Sequence, residues 1–357
     1  VSTTTVGRVL AVGERWPGAV AVEVDLPGRD PVRALAYPDL VGEPRIGDTA
    51  VVSTAALDRG LGTGGWAFVV HLHDRTGPAP PPQARLVKAR YTPQQVLVSG
   101  VEEDERTRDA VARCPGLGGM PVVVAELHSA LSAVLAGLRA DRPDLRVAYV
   151  MTDGGALPAW FSRTIPALRS AGWLAATVTC GQAFGGDLEA LTLHSGLIAA
   201  RAVVAADVAV VAPGPGTAGT ATRWGFTGIA AGEAVNAVTA VGGRPVVAVR
   251  ISGADPRPRH QGVSHHSLTA YGQVALRAAD VPLPETEVAR LAGGVVDELL
   301  AGRHRLVPVN CSGLEAALES CPGGAASMGR TVADDPRYFL AAAAAGRHAA
   351  TLVTSRR

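Results

Sequence analysis

The chain has 357 residues, a formal net charge of +1 from 33 basic and 32 acidic side chains, and 47% hydrophobic content. That balance excludes disorder, because enough apolar surface is present to bury a core, and it leaves no overall attraction for a nucleic-acid backbone as partner. Glycine (42) and proline (25) are in excess while charged residues are only 18%, which excludes long charged heptads and indicates a compact, loop-rich protein of two domains.

Residues 1–85 read as short strands parted by turn residues: Val6–Val12, Ala19–Val24, Val32–Tyr37, Thr49–Ser53 and Trp66–Val70. This spacing predicts a small antiparallel β-barrel or sandwich. Pro78–Pro82 is a semi-rigid connection and marks the first domain boundary. Beyond it the rhythm changes. Apolar runs at Val122–Ala125, Val147–Met151, Leu174–Val178, Val208–Ala212 and Val246–Ile251 alternate with helix-period segments near 128–140, 157–171, 187–206 and 230–241. Such alternation predicts a parallel, doubly wound α/β sheet, Rossmann-like and covered on both faces, over residues 86–310. Leu306–Val309 adds a sixth strand after a helix near 285–301, and residues 311–357 read as a helical extension with a packed surface helix at Leu340–Ala345.

Val1–Leu26 shows no basic start followed by an apolar run, and no apolar stretch reaches the ~20 residues that span a bilayer. Cys114, Cys180, Cys311 and Cys321 lack C-x-x-C spacing. The expectation is a cytoplasmic protein with reduced thiols and no membrane partner; assembly as a homo-oligomer stays open.

In open parallel sheets, ligands bind beyond the carboxyl ends of the strands. The residues after each run are therefore the candidates: Glu126-Leu127-His128-Ser129, Thr152-Asp153-Gly154-Gly155, Thr179 to Asp187, Pro213 to Gly225 and Ser252 to Ser267. The sharpest cluster is Asp255-x4-His260-x4-His265-His266. Ser264 is placed to cap a helix whose first turn holds His265 and His266, and the positive end of that helix keeps the imidazoles neutral. Neutral rings suit a general base or a divalent metal, with His260, His265 and His266 as ligands and His265, His266, Asp255 and Asp153 as the catalytic set. The spacing matches no established zinc signature; the other reading has one histidine capping or packing and another donating to a loop carbonyl.

Gly214, Gly216 and Gly219 spell Gly-x-Gly-x-x-Gly, but after the fourth strand, with Pro215 inside it and no helix start before Gly228. This disfavours NAD or FAD. It leaves either a backbone nest for a small anionic metabolite, with Thr220, Thr222 and Arg223 adding hydroxyls and a cation, or a glycine turn under tight packing. Gln182, Asp187 and His128 complete the ligand-binding candidates, although Asp187 also suits an N-cap. Cys180 reads as an inert buried thiol and His194 as a satisfied interior histidine.

The runs Gly214–Gly228, Arg250–Arg257 and Gly262–His266, with Leu61–Gly65 and Thr179–Glu189, resemble a bacterial, largely actinobacterial family known as domain of unknown function 3866. The resemblance spans nearly the whole chain. It implies a cytoplasmic bacterial protein of this domain layout, and it carries no assigned reaction. From the residues, the leading expectation is an enzyme of hydrolysis or group transfer at the carboxyl edge of the sheet; a ligand-binding sensor or assembly module is the alternative.

Overall fold

A computed structural model describes residues 4–291 and 294–354. It divides into two compact units, the first ending at Val98 and the second beginning at Ser99. The division falls past the proline-rich connection, because the hairpin of Leu86–Lys88 with Val96–Val98 belongs to the first unit. Residues after 310 belong to the second unit and form no separate one.

The first unit is a closed barrel of β1 (Thr4–Trp16), β2 (Ala19–Asp25), β3 (Val32–Ala36), β4 (Thr49–Ser53) and β5 (Ala67–Leu72), in the order β1-β2-β3-β5-β4. Strand β1 closes it by pairing with both β2 and β4, and register shifts after Val9 and Val12 supply the bend this requires. One pairing departs from the antiparallel expectation: β3 and β5 run parallel. Alternate residues such as Val20, Val22 and Val24 fill the interior.

The second unit holds an eight-stranded sheet: β6 (Pro121–Ala125), β7 (Val147–Thr152), β8 (Ala176–Thr179), β9 (Leu188–Glu189), β10 (Val208–Pro213), β11 (Arg244–Ala248), β12 (Asp280–Pro284) and β13 (Arg305–Val309). The order is β9-β8-β7-β10-β6-β11-β12-β13, and every pairing is parallel. The apolar runs are unbroken because both faces are covered. Val122, Val124, Val150 and Val211 face one core, while Val123, Ala125, Tyr149 and Val210 face the other.

Helices α1 (Ala130–Asp141), α2 (Leu193–Ala202) and α3 (Ala230–Ala240) follow β6, β9 and β10. The segment expected as one helix over 157–171 is a 3₁₀ turn at Ala159–Phe161 followed by a short helix at Thr164–Ser170. The segment 187–206 begins as strand β9, and Thr192, not Asp187, caps α2. The alanine run is an interior helix and not a surface one: within Pro336–Thr351, Ala341 to Ala345 are at most 2% exposed. Its Gly346 lies against the Val134 carbonyl and Gly137 of α1 against that of Ala343, so the two helices approach as closely as backbones allow. No helix among the described residues is long and apolar enough to cross a membrane.

Candidate metal centre

Three neighbouring strands, β10, β6 and β11, each deliver one part of the site from their carboxyl ends. After β11, Ile251–Ser252 pairs antiparallel with Gly262–Val263, closing a loop that carries Asp255 and the 3₁₀ turn Pro258–His260. Ser264 then caps a short helix, α4 (His265–Thr269), its Oγ accepting from the backbone N–H of His266 at 3.2 Å, as the sequence predicts. The hairpin folds His260 back onto that first turn. Ring centroids of His265 and His266 are 4.3 Å apart, and His260 lies 5.0 and 4.8 Å from them. One ligand atom from each of the three lies within 4.8 Å of the others.

Strand β10 leads into the glycine-rich loop. A Cβ on Gly219 would stand 3.4 Å from His266 Cε1, and Phe226, bridged to Gly219, stacks on the His266 ring at 3.8 Å and 2°. The loop thus covers one face of the His266 ring. At its other end the missing Cβ of Gly214 admits the Ala156 carbonyl, and Gly216 turns the chain at φ +83°. Strand β6 supplies Glu126, which is 1% exposed. Its Oε1 accepts from Ser267 Oγ, and its Oε2 stands 3.7 Å from His266 Nδ1.

Burial, together with the charges of Arg250 and Arg257, lowers the pKa of His260 to about 3. Burial and the neighbouring imidazoles lower that of His266 to about 3 as well, and burial followed by the charge of Arg259 lowers that of His265. All three rings are therefore neutral near pH 7. Burial raises the Glu126 carboxyl despite the Arg250 charge and the Ser267 hydroxyl. The Nε2 atoms of all three histidines, His266 Nδ1 and Glu126 Oε2 are buried without a hydrogen-bond partner among the described residues. Buried polar atoms are normally bonded, so five such atoms in one cluster fit a bound cation.

The donor set agrees. Imidazole suits zinc, cobalt, nickel, copper or iron rather than magnesium or calcium. Tetrahedral bonds of about 2.1 Å need nitrogens about 3.4 Å apart, so the three rings must draw together from their present spacing to share one cation. His260 Nδ1 lies 2.8 Å from Ser264 Oγ, a partner that holds the ring by Nδ1 and leaves Nε2 as the atom facing the cluster.

The family model described as protein of unknown function (DUF3866) matches residues 33–346. The chain belongs to that family. No curated protein and no solved structure matches it.

Apart from Gly219, the other sequence candidates of this DUF3866 chain have their bonds away from the imidazole nitrogens. Asp255 is fully buried and takes Arg257 on both oxygens, with Arg250 at 2.9 Å and Arg330 at 3.4 Å on Oδ2. Burial alone would raise its carboxyl, but the hydrogen bonds and charges of Arg257 and the charge of Arg250 hold it far below the usual range. It braces the loop. Asp153 is exposed and accepts from the backbone N–H of Gln182 at 2.8 Å, capping that turn. Asp187 accepts from Arg169 and from the backbone N–H of Thr177.

Thr220 and Thr222 bond each other at 2.7 Å on the exposed side of their loop. Arg223 lies half exposed over Trp224, 3.9 Å from Glu298. His128 is buried with both ring nitrogens bonded, and His194, expected inside, is exposed. Cys180 is buried, and none of the four cysteines forms a disulfide. Glu126 is the residue the sequence reading left without a role. Its signal was a single carboxylate directly after an all-apolar strand.

Proposed function

We propose that the chain is a metal-dependent enzyme of hydrolysis or group transfer acting on a small anionic metabolite at the carboxyl edge of the sheet. The observation that carries this reading is the convergence of His260, His265 and His266, each with a buried Nε2 lacking a partner among the described residues. Three imidazoles and an open position are the pattern of a catalytic rather than a structural zinc-type site. A cation held there supplies Lewis acidity and an activated water. The chain's own residues orient and seclude: Phe226 covers one face of His266, and Ser264 fixes His260.

The charge around the rings favours an anion. Arg250 and Arg257 share the single carboxylate of Asp255 and leave a net positive charge beside the rings, and exposed Arg259, with no ion pair among the described residues, adds to it at His265 and His266. Four cysteines outside any disulfide fit the reducing bacterial cytoplasm as the place of action. Metal analysis of the purified protein tests the reading. One equivalent of a transition metal is expected, retained through dialysis, and at least 100-fold weaker binding in His265→Ala. Wild-type protein that takes up no zinc or cobalt would sink it.

A further inference from the structure

We propose that Glu126 is a positioning residue of this centre: its Oε2 receives the Nδ1–H of His266 and so presents His266 Nε2 to the cation, an assignment that rests on the metal reading above. His266 differs from His260 in one respect. The Nδ1 of His260 already has its partner, Ser264 Oγ, whereas both nitrogens of His266 lack one. The atom placed to complete it is Glu126 Oε2, 3.7 Å from Nδ1 and itself without a partner.

The carboxylate is aimed. The backbone N–H of Arg250 donates to Ser267 Oγ at 3.0 Å, and the Ser267 hydroxyl donates to Glu126 Oε1. This chain holds one oxygen, fixes the carboxyl plane and leaves the other facing the ring. Ser267 sits on α4 two positions after His265, so the helix that carries the ligands also carries the clamp. Arg250 is pinned through its guanidinium to Asp255. The arginine–aspartate cluster thereby acts as outer scaffold for Glu126.

A distance of 3.7 Å is too long for a hydrogen bond and must shorten by about 0.8 Å to become one. The same ring movement serves the metal, because the three nitrogens must also draw together to reach bonding separations. Phe226 lies parallel to the His266 ring, which resists tilting while leaving the ring free to slide in its own plane. Leaving a buried carboxylate oxygen and an imidazole nitrogen unpaired costs free energy, and one closure satisfies both. Carboxylates that hold a ligating histidine this way typically change metal affinity 10- to 100-fold.

The test uses cobalt(II) alone as probe, with affinity from chelator competition and coordination from the visible d–d bands. Glu126→Gln keeps the side-chain volume and removes the charge. It is expected to bind cobalt 10- to 100-fold more weakly with shifted d–d bands, while its metal-free unfolding midpoint stays near wild type. Ser267→Ala, which touches no ligand atom, is expected to shift both readouts in the same direction by less, and it stands in if Glu126→Gln fails to fold. Cobalt uptake with wild-type affinity and spectrum in both variants overturns this assignment alone. A wild-type protein that binds no cobalt overturns the metal reading and this assignment together.

Discussion

His128 and the cluster of His260, His265 and His266 lie at the same edge of the sheet, and His128, His260 and His266 are all buried, yet the two sites differ in how their ring nitrogens are satisfied. Around His128 every polar atom is taken. The backbone N–H of Ile165 reaches Ser162 Oγ at 3.2 Å, and that hydroxyl meets His128 Nε2 at 2.8 Å. On the other side His128 Nδ1 meets the Tyr149 hydroxyl at 3.0 Å, and Tyr149 donates to the Pro213 carbonyl at 2.8 Å. The chain of bonds is closed at both ends by backbone. Around His260, His265 and His266 the Nε2 atoms have no hydrogen-bond partner among the described residues. Burial lowers the His128 pKa to about 4 and that of His260 to about 3, so neither exposure nor titration separates the groups. Only the hydrogen-bond partners do.

The strongest way to break that contrast is to truncate one member of each group. His128→Ala removes a ring from a packed core and leaves Tyr149 and Ser162 short of a partner. A loss of about 3 kcal/mol in urea unfolding is expected, with zinc uptake unchanged. His265→Ala should do the reverse: metal uptake collapses, while the metal-free protein loses no more than about 1 kcal/mol, because a poorly satisfied group is removed. Equal destabilisation by the two variants without metal would mean that both groups serve the core.

Why the contrast escaped a reading of the sequence is physical. Periodicity and apolar runs located most of the strands, and the loop order alone put Glu126, Gly219 and the histidines at one edge. Partner identity was not legible, because the bonds of His128 come from Tyr149 and Ser162, each remote in sequence. Asp255 reads as a member of the catalytic set because its neighbours are histidines. Its partners turn out to be Arg250 and Arg257 beside it and Arg330 from a distant hairpin. Strand β12 hid for a different reason. Pro282 and Pro284 interrupt its apolar run, and β12 keeps only one registered pair with β11, Val246 with Asp280.

Acid sharpens the comparison with a smaller effect. The folded protein keeps His128 neutral down to about pH 4, whereas the unfolded chain protonates it near 6.5. The unfolded state therefore binds more protons between these values, and stability falls as pH falls through that window. Between pH 7 and 5 this one ring contributes about 2 kcal/mol of loss. Urea titrations at the two pH values should show a shallower dependence in His128→Ala than in wild type, by that amount. An unaltered slope would place the His128 titration elsewhere.

The smallest effect belongs to Arg223, which applies the same criterion to a cation. A cation poised for an anion ought to be aimed into the cluster and held there by packing. Arg223 instead lies about half exposed, reaches Glu298 only at 3.9 Å and rests over Trp224, itself exposed. Exposed pairs of this kind contribute little, since solvent screens them and two long side chains must be ordered. Arg223→Ala is therefore expected to stay within about 0.5 kcal/mol of wild type. It should also leave any thermal protection by inorganic phosphate intact, whereas Arg259→Ala, beside the histidines, should reduce that protection. Loss of protection in Arg223→Ala alone would move the anion onto the glycine-rich loop, with Thr220 and Thr222 as its hydroxyls and Gly214, Gly216 and Gly219 as its turn.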